Sequence, residues 1–220
     1  MTTEEESRIL SKEEVNCLLG SDCSEHGMDK IKILIVEDDH HTQQLYDKGL
    51  FNQIFDKKMV ASGKEALFVY DEWHPDIILL DIYLPEMTGY QVLKAIRTTI
   101  EDSKTTIVMA TALSGTDDVM SCLKLGVEGY IIKPFPFREI AVKILGYYAK
   151  KEPERAQKVI ALCREIAKKS QVRWLLDKEK PKTKENKEEV SEGNPESETE
   201  EAGGGENGSE IHGQTDAAVQ

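Results

Sequence analysis

The amino-acid sequence predicts an α/β protein in which a five-stranded parallel sheet is covered on both faces by helices. Three observations carry this. Five short runs, most of them rich in Ile, Leu and Val, recur along the middle of the chain, and runs of that length suit strands buried inside a sheet. Between them lie segments with apolar residues at helical spacing, the alternation that parallel strands and their crossover helices require. Two of the runs also deliver acids to their ends: Ile33-Leu34-Ile35-Val36 leads into Glu37-Asp38-Asp39, and Ile77-Ile78-Leu79-Leu80 into Asp81. Open α/β sheets carry their sites at the carboxyl ends of the strands, where helices leave the edge uncovered.

Taken in order, Lys32–Val36 is expected as the first strand and His40–Asn52 as a helix with Leu45 and Leu50 inward. Lys58–Ser62 is a short second strand, followed by a helix over Gly63–Trp73 built around Ala66, Leu67 and Tyr70. Asp76–Asp81 is the third strand; Leu84-Pro85 and Thr88-Gly89 turn the chain into a helix over Tyr90–Thr98 that buries Val92, Leu93 and Ile96. Thr105–Thr111 is the fourth strand and Thr116–Leu125 its helix; Gly129–Lys133 is the fifth, and Phe137–Ala149 the last helix, with Ile140, Ile144 and Leu145 inward.

This core, residues 30–150, has appendages. Within residues 1–29, Ser11 and Glu14 stand in capping-box relation and Leu10 and Val15 at staple positions. Ile9, Val15, Leu18 and Leu19 then share one face of a helix too short to be stable unless that face is buried. Residues 21–30 lack periodicity and read as a linker. Over residues 151–178, Val159, Ile160, Cys163 and Ile166 recur at helical spacing, with Val172, Trp174 and Leu175 beyond. From residue 179 to 220, Glu, Lys, Ser, Asn and Gly dominate and aromatics vanish, the composition of a disordered acidic tail.

Net charge is −13 over 220 residues, with much of the acid excess in that tail. Without a basic stripe, direct nucleic-acid binding is not expected. The acidic N-terminus and the absence of an apolar run near about 18 residues predict a cytoplasmic protein with no membrane insertion. The four cysteines show no CxxC pair; Cys17, Cys23 and His26 lack a fourth metal ligand, so ordinary reduced thiols are expected.

The strand ends gather a chemical set: Glu37 and Asp38, Asp81, Thr111 and Lys133. Carboxylates that converge repel one another unless a cation joins them, and a hard ion such as Mg²⁺ suits a site of few carboxylates and an incoming phosphoryl group. Lys133 offers a point charge to that anion and the Thr111 hydroxyl a hydrogen bond. Asp39 reads as a helix-start acid, and His40 and His41 as exposed residues.

This set, together with Leu84-Pro85, Gly89 and Lys133-Pro134, resembles the receiver domain of two-component response regulators, over about residues 30 to 150. The resemblance implies a flavodoxin-like (CheY-like) sheet of order 2-1-3-4-5. It makes Asp81 the acceptor of a phosphoryl group from a histidine kinase or phosphotransfer protein. It also implies Mg²⁺ held by Glu37, Asp38, Asp81 and the Tyr83 backbone carbonyl, Lys133 sensing the phosphate, and Thr111 with Tyr130 as a switch pair. Bulky Tyr83 and Leu113 imply a long-lived phosphoryl group. Apart from self-phosphorylation and dephosphorylation, no enzyme activity is implied.

A second resemblance covers about a dozen residues. Ile9, Leu10, Ser11, Glu14, Val15, Leu18 and Leu19 fall in ILSKEEVNCLL, which is similar to the regulator-binding peptide of the flagellar motor-switch protein. It implies docking of residues 9–19 on a phosphorylated receiver, its own or another's, at the face of the fourth helix, fifth strand and fifth helix; the alternative is a helix packed on its own domain. No DNA-binding motif is evident, so the expected output is protein contact, with a flagellar or chemotaxis adaptor or phosphate sink as the second reading and an output domain at 150–178 as the third.

Overall fold

The computed structural model describes residues 9–20, 29–112 and 116–179, and within helices it leaves side chains 116–118 and 173–179 undescribed. These residues fall in one of two units, Met1–Pro181. The expected disorder of the acidic tail concerns residues that, Glu179 apart, lie outside those described.

The first helix, α1, is Lys12–Leu19. Then follow β1 (Ile31–Val36), α2 (His40–Gly49), β2 (Phe55–Val60), α3 (Gly63–Trp73) and β3 (Ile77–Asp81). Next come α4 (Gly89–Lys94), which widens into a π-turn over Ala95–Thr99, β4 (Thr106–Thr111) and α5 (Thr116–Lys124). The last elements are β5 (Gly129–Ile132), α6 (Phe137–Lys151) and α7 (Pro153–Glu179). The sheet order is β2-β1-β3-β4-β5 and every pairing is parallel, as expected.

Strand periodicity of two divides the apolar residues between two cores. On one face Ile33 and Ile35 of β1, Leu79 of β3 and Val108 of β4 pack under α2, α6 and α7; on the other Leu34, Val36, Leu80 and Met109 pack under α3, α4 and α5. The middle strand is buried along its whole length, which explains its unbroken apolar run.

Two boundaries depart from expectation. The second strand starts at Phe55 rather than Lys58, because it is an edge strand buried at its two ends only. Its central lysines spread over neighbours: Lys57 Nζ reaches the Leu50 carbonyl at 3.0 Å, and Lys58 lies over the Trp73 ring. The helix before it ends at Gly49, and its inward aromatic is Tyr46; Leu45, expected inside, is 40% exposed.

The N-terminal helix is built as its sequence suggests. Ser11 Oγ accepts from the Glu14 amide and Glu14 Oε2 accepts from the Ser11 amide at 2.8 Å, completing a capping box. Its apolar face is already used: Ile9, Leu10, Val15 and Leu18 are buried in the same core as Val159, Cys163 and Ile166 of α7. Polar contacts fix its position, since Arg164 donates to the Ile9 carbonyl, Gln53 to the Leu18 carbonyl and Arg138 to the Asn16 side chain. Of the two readings of residues 9–19, the structure shows the helix packed on its own domain, and docking on a phosphorylated receiver is not shown. The segment is part of the core on the α2–α6–α7 side, because α7 supplies the groove that its short helix needs.

Candidate site at the carboxyl end of the sheet

Each site residue is delivered by a strand. At the end of β1 the Glu37 amide donates to the Val60 carbonyl of β2, which carries the sheet pattern one residue further and turns Glu37 inward, 1% exposed. Asp38, next in the chain, faces out, and Asp39 caps α2 by accepting from the Thr42 amide at 2.8 Å, the role expected of it. Asp81 ends β3 at 7% exposure. There the chain must pass close by, and a Cβ at Gly89 would overlap the Asp81 carbonyl, so only glycine fits. Thr111, at 3% exposure, ends β4, and its carbonyl accepts from the Lys133 amide at 2.8 Å, which ties the lysine loop to the sheet. The Lys133–Pro134 peptide bond is cis.

These elements bring Glu37, Asp38 and Asp81 together, with one carboxylate oxygen of each within 4.8 Å of the others. Lys133 Nζ bridges the buried two, at 2.5 Å from Glu37 Oε2 and 2.5 Å from Asp81 Oδ2. The other Asp81 oxygen accepts from the Tyr83 amide at 3.1 Å. Burial raises the pKa of Glu37, the hydrogen bond and charge of Lys133 pull it back, and the Asp81 charge adds to the rise; the net shift is upward. For Lys133 burial works against the charged form, but hydrogen bonds to Asp81 and Glu37 outweigh it, and its pKa is raised.

Three carboxylates against one ammonium leave a deficit of two positive charges, which a divalent cation closes. All three donors are hard oxygens, and Asp38 is exposed to solvent that would complete a hydrated ion's shell. The donor set thus fits Mg²⁺.

Of the remaining expected residues, Tyr130 is partly buried and donates its hydroxyl to the Val119 carbonyl at 2.9 Å, which turns the ring toward α5. Tyr83 is 55% exposed, and Leu113 lies outside the described residues. Cys23 and His26 do so too, while Cys17 is a free thiol. His40 and His41 are exposed. Sequence reasoning passed over Gln43, whose amide donates to the Glu37 carbonyl at 2.7 Å, and over Tyr46, stacked on Phe135 beside the lysine loop. Their spacing of three on one helix face is the only signal they carry, and any helix offers it.

The sequence matches the response regulator receiver domain family over residues 33–145. Among curated proteins it is similar to the DNA-binding response regulator MtrA of Mycolicibacterium smegmatis, at 34% identity over 57% of this chain and 54% of the relative. The chain thus spans about half the length of the curated relatives it matches. Two solved structures are similar in fold. A CheY-like receiver domain protein of Methanospirillum hungatei has a TM-score of 0.53 at 25% identity, over 57% of this chain and 99% of the other. The chemotaxis response regulator CheY4 of Vibrio cholerae has a TM-score of 0.50 at 25% identity, over 54% and 99%.

The MtrA likeness overturns two expectations, that the output dispenses with DNA binding and that nucleic acid is no partner. Both rested on the charge of the whole chain and on the lack of a DNA-binding motif in it, and relatives with this receiver are named for DNA binding. No helix among the described residues is long and apolar enough to cross a membrane. The matched segment contains the three strand ends that build the acid and lysine cluster, and the chain belongs to the response regulator receiver family of two-component phosphorelay systems.

Proposed function

We propose that Asp81 is the phosphoryl acceptor of this receiver and that the phosphorylated domain governs a transcriptional output. The observation that carries the first part is the Lys133 ammonium held 2.5 Å from Asp81 Oδ2 beside two further acids. The names of the DNA-binding relatives support the second.

An Asp81 carboxylate oxygen attacks the phosphorus of a phosphohistidine on a histidine kinase or phosphotransfer protein. The phosphorus–nitrogen bond breaks, the imidazole leaves with its electron pair, and Asp81 becomes an acyl phosphate. Glu37, Asp38, Asp81 and the Tyr83 backbone carbonyl would hold Mg²⁺, which supplies charge neutralisation at the phosphoryl oxygens. Lys133 already stands on Asp81 and transfers its hydrogen bond to the new anion. The Thr111 hydroxyl, at the end of β4, turns to a phosphoryl oxygen, and the space it leaves admits Tyr130, which gives up its bond to the Val119 carbonyl. Tyr83 beside the acceptor hinders water and so slows the loss of the phosphoryl group.

The N-terminal segment enters this reading as part of the folded unit rather than as a recruiting peptide. The test is labelling with acetyl phosphate and Mg²⁺. Wild type should gain one acid-stable, hydroxylamine-sensitive phosphoryl group and Asp81→Asn none; equal labelling of both would overturn the assignment.

A further inference from the structure

Helix α2 touches both loops that carry the charges of the site. Near its start Gln43 Nε2 donates to the Glu37 carbonyl oxygen at 2.7 Å, so the helix is bonded to the loop that presents Glu37 and Asp38. One turn on, the Tyr46 ring stacks on Phe135, with centroids 4.9 Å apart and planes inclined by 18°. Phe135 lies two residues past Lys133. One turn further, a Cβ at Gly49 would overlap the Phe137 carbonyl and the Ile140 side chain, so the helix presses on the start of α6 as well. Gln43, Tyr46 and Gly49, spaced by three, line one face. The chain from Lys133 to Phe137 is thus held at two points by the helix that also grips the acid loop.

Tyr46 is 1% exposed, yet its hydroxyl has no hydrogen-bond partner among the described residues. The contact that holds the loop is the ring. Burial, then the charges of Glu37 and Asp81, push the phenol pKa far above its ordinary value, so the ring stays neutral beside the carboxylates.

We propose that Tyr46 is a positioning residue for Lys133: through Phe135 its ring sets where the lysine loop stands, and so how the ammonium meets Asp81 and the phosphoryl group. A lysine has four rotatable bonds and reaches one geometry reproducibly only if its backbone is fixed. The stack fixes it from outside the loop. This inference deepens the proposed function and rests on it.

The experiment is the rate of labelling of the full chain by acetyl phosphate at saturating Mg²⁺, below the unfolding temperature of each variant. Tyr46→Phe keeps the ring and should label within twofold of wild type. Tyr46→Leu, which fills the core without a ring, and Phe135→Leu should each label at least fivefold more slowly, with Mg²⁺ affinity by calorimetry within threefold of wild type. In a Lys133→Ala background Tyr46→Leu should cost less than twofold, since nothing remains to be positioned. An equal loss in both backgrounds would reveal a general packing role and overturn the proposal, as would wild-type rates in Tyr46→Leu. Failure of the underlying reading would show separately, as labelling of Asp81→Asn equal to wild type.

Discussion

The Lys133 ammonium joins carboxylates from two different strands, 2.5 Å from Glu37 at the end of β1 and 2.5 Å from Asp81 at the end of β3. Under the proposed function it would compete with a metal for the same charges and prepare Asp81 for a phosphoryl group. Lys133→Ala should separate these roles. Loss of one positive charge near the acids should tighten Mg²⁺ binding by about 1 kcal/mol, or about fivefold. Labelling by acetyl phosphate should slow by about tenfold or more, because the phosphoryl oxygens lose their ammonium. Calorimetry and a labelling time course would check the two effects, and weaker Mg²⁺ binding would contradict the competition.

The unpartnered Tyr46 hydroxyl has a consequence for stability distinct from the role of its ring. A buried polar group without a hydrogen bond costs about 1–3 kcal/mol. Tyr46→Phe removes the hydroxyl and keeps the stack on Phe135. Urea unfolding should show a gain of about 1 kcal/mol, and a loss of that size would mean that the hydroxyl has a partner.

Leu18 is 1% exposed beneath α7, and the capping box of Ser11 and Glu14 starts its helix. Leu18→Ala should destabilise the domain by about 2–4 kcal/mol and Ser11→Ala by about 1 kcal/mol. A peptide waiting for a separate partner would leave thermal or urea unfolding of the domain unchanged.

Asp102 contributes to the stability of the fold toward acid. Its environment opposes two effects: burial raises its pKa, while hydrogen bonds from Thr105, Tyr70 and the Lys104 amide lower it further, to about 2 against an ordinary 3.8. Because the folded-state value is the lower one, the stabilisation is present above pH 3.8 and is lost as pH falls through about 2. Urea midpoints measured from pH 5 down to pH 2 should fall less steeply in Asp102→Asn than in wild type, and parallel curves would remove Asp102 from the acid transition. Partial exposure keeps the effect modest.

The layout of the sheet was legible in the sequence because β1, β3 and β4 are buried on both faces and leave unbroken apolar runs. The edge strand β2 starts three residues and ends two residues before its expected bounds for the opposite reason: DKK in its middle has the look of a loop. Leu45 and Tyr46 show the same limit, since adjacent apolar residues on a helix leave open which one faces inward.

Which residues stand at these strand ends is written in the chain itself, because the length of a buried apolar run sets where its strand stops and which polar residue it delivers there: Glu37, Asp38, Asp81, Thr111 and Lys133. Tertiary structure alone decided what Ile9–Leu19 packs against, since one apolar helix face suits α7 of its own chain and a foreign groove equally well, and only the nearby buried stripe of Val159, Cys163 and Ile166 settles it. Tertiary structure alone also set Tyr46 against Phe135, a contact across 89 residues of sequence that no local pattern encodes.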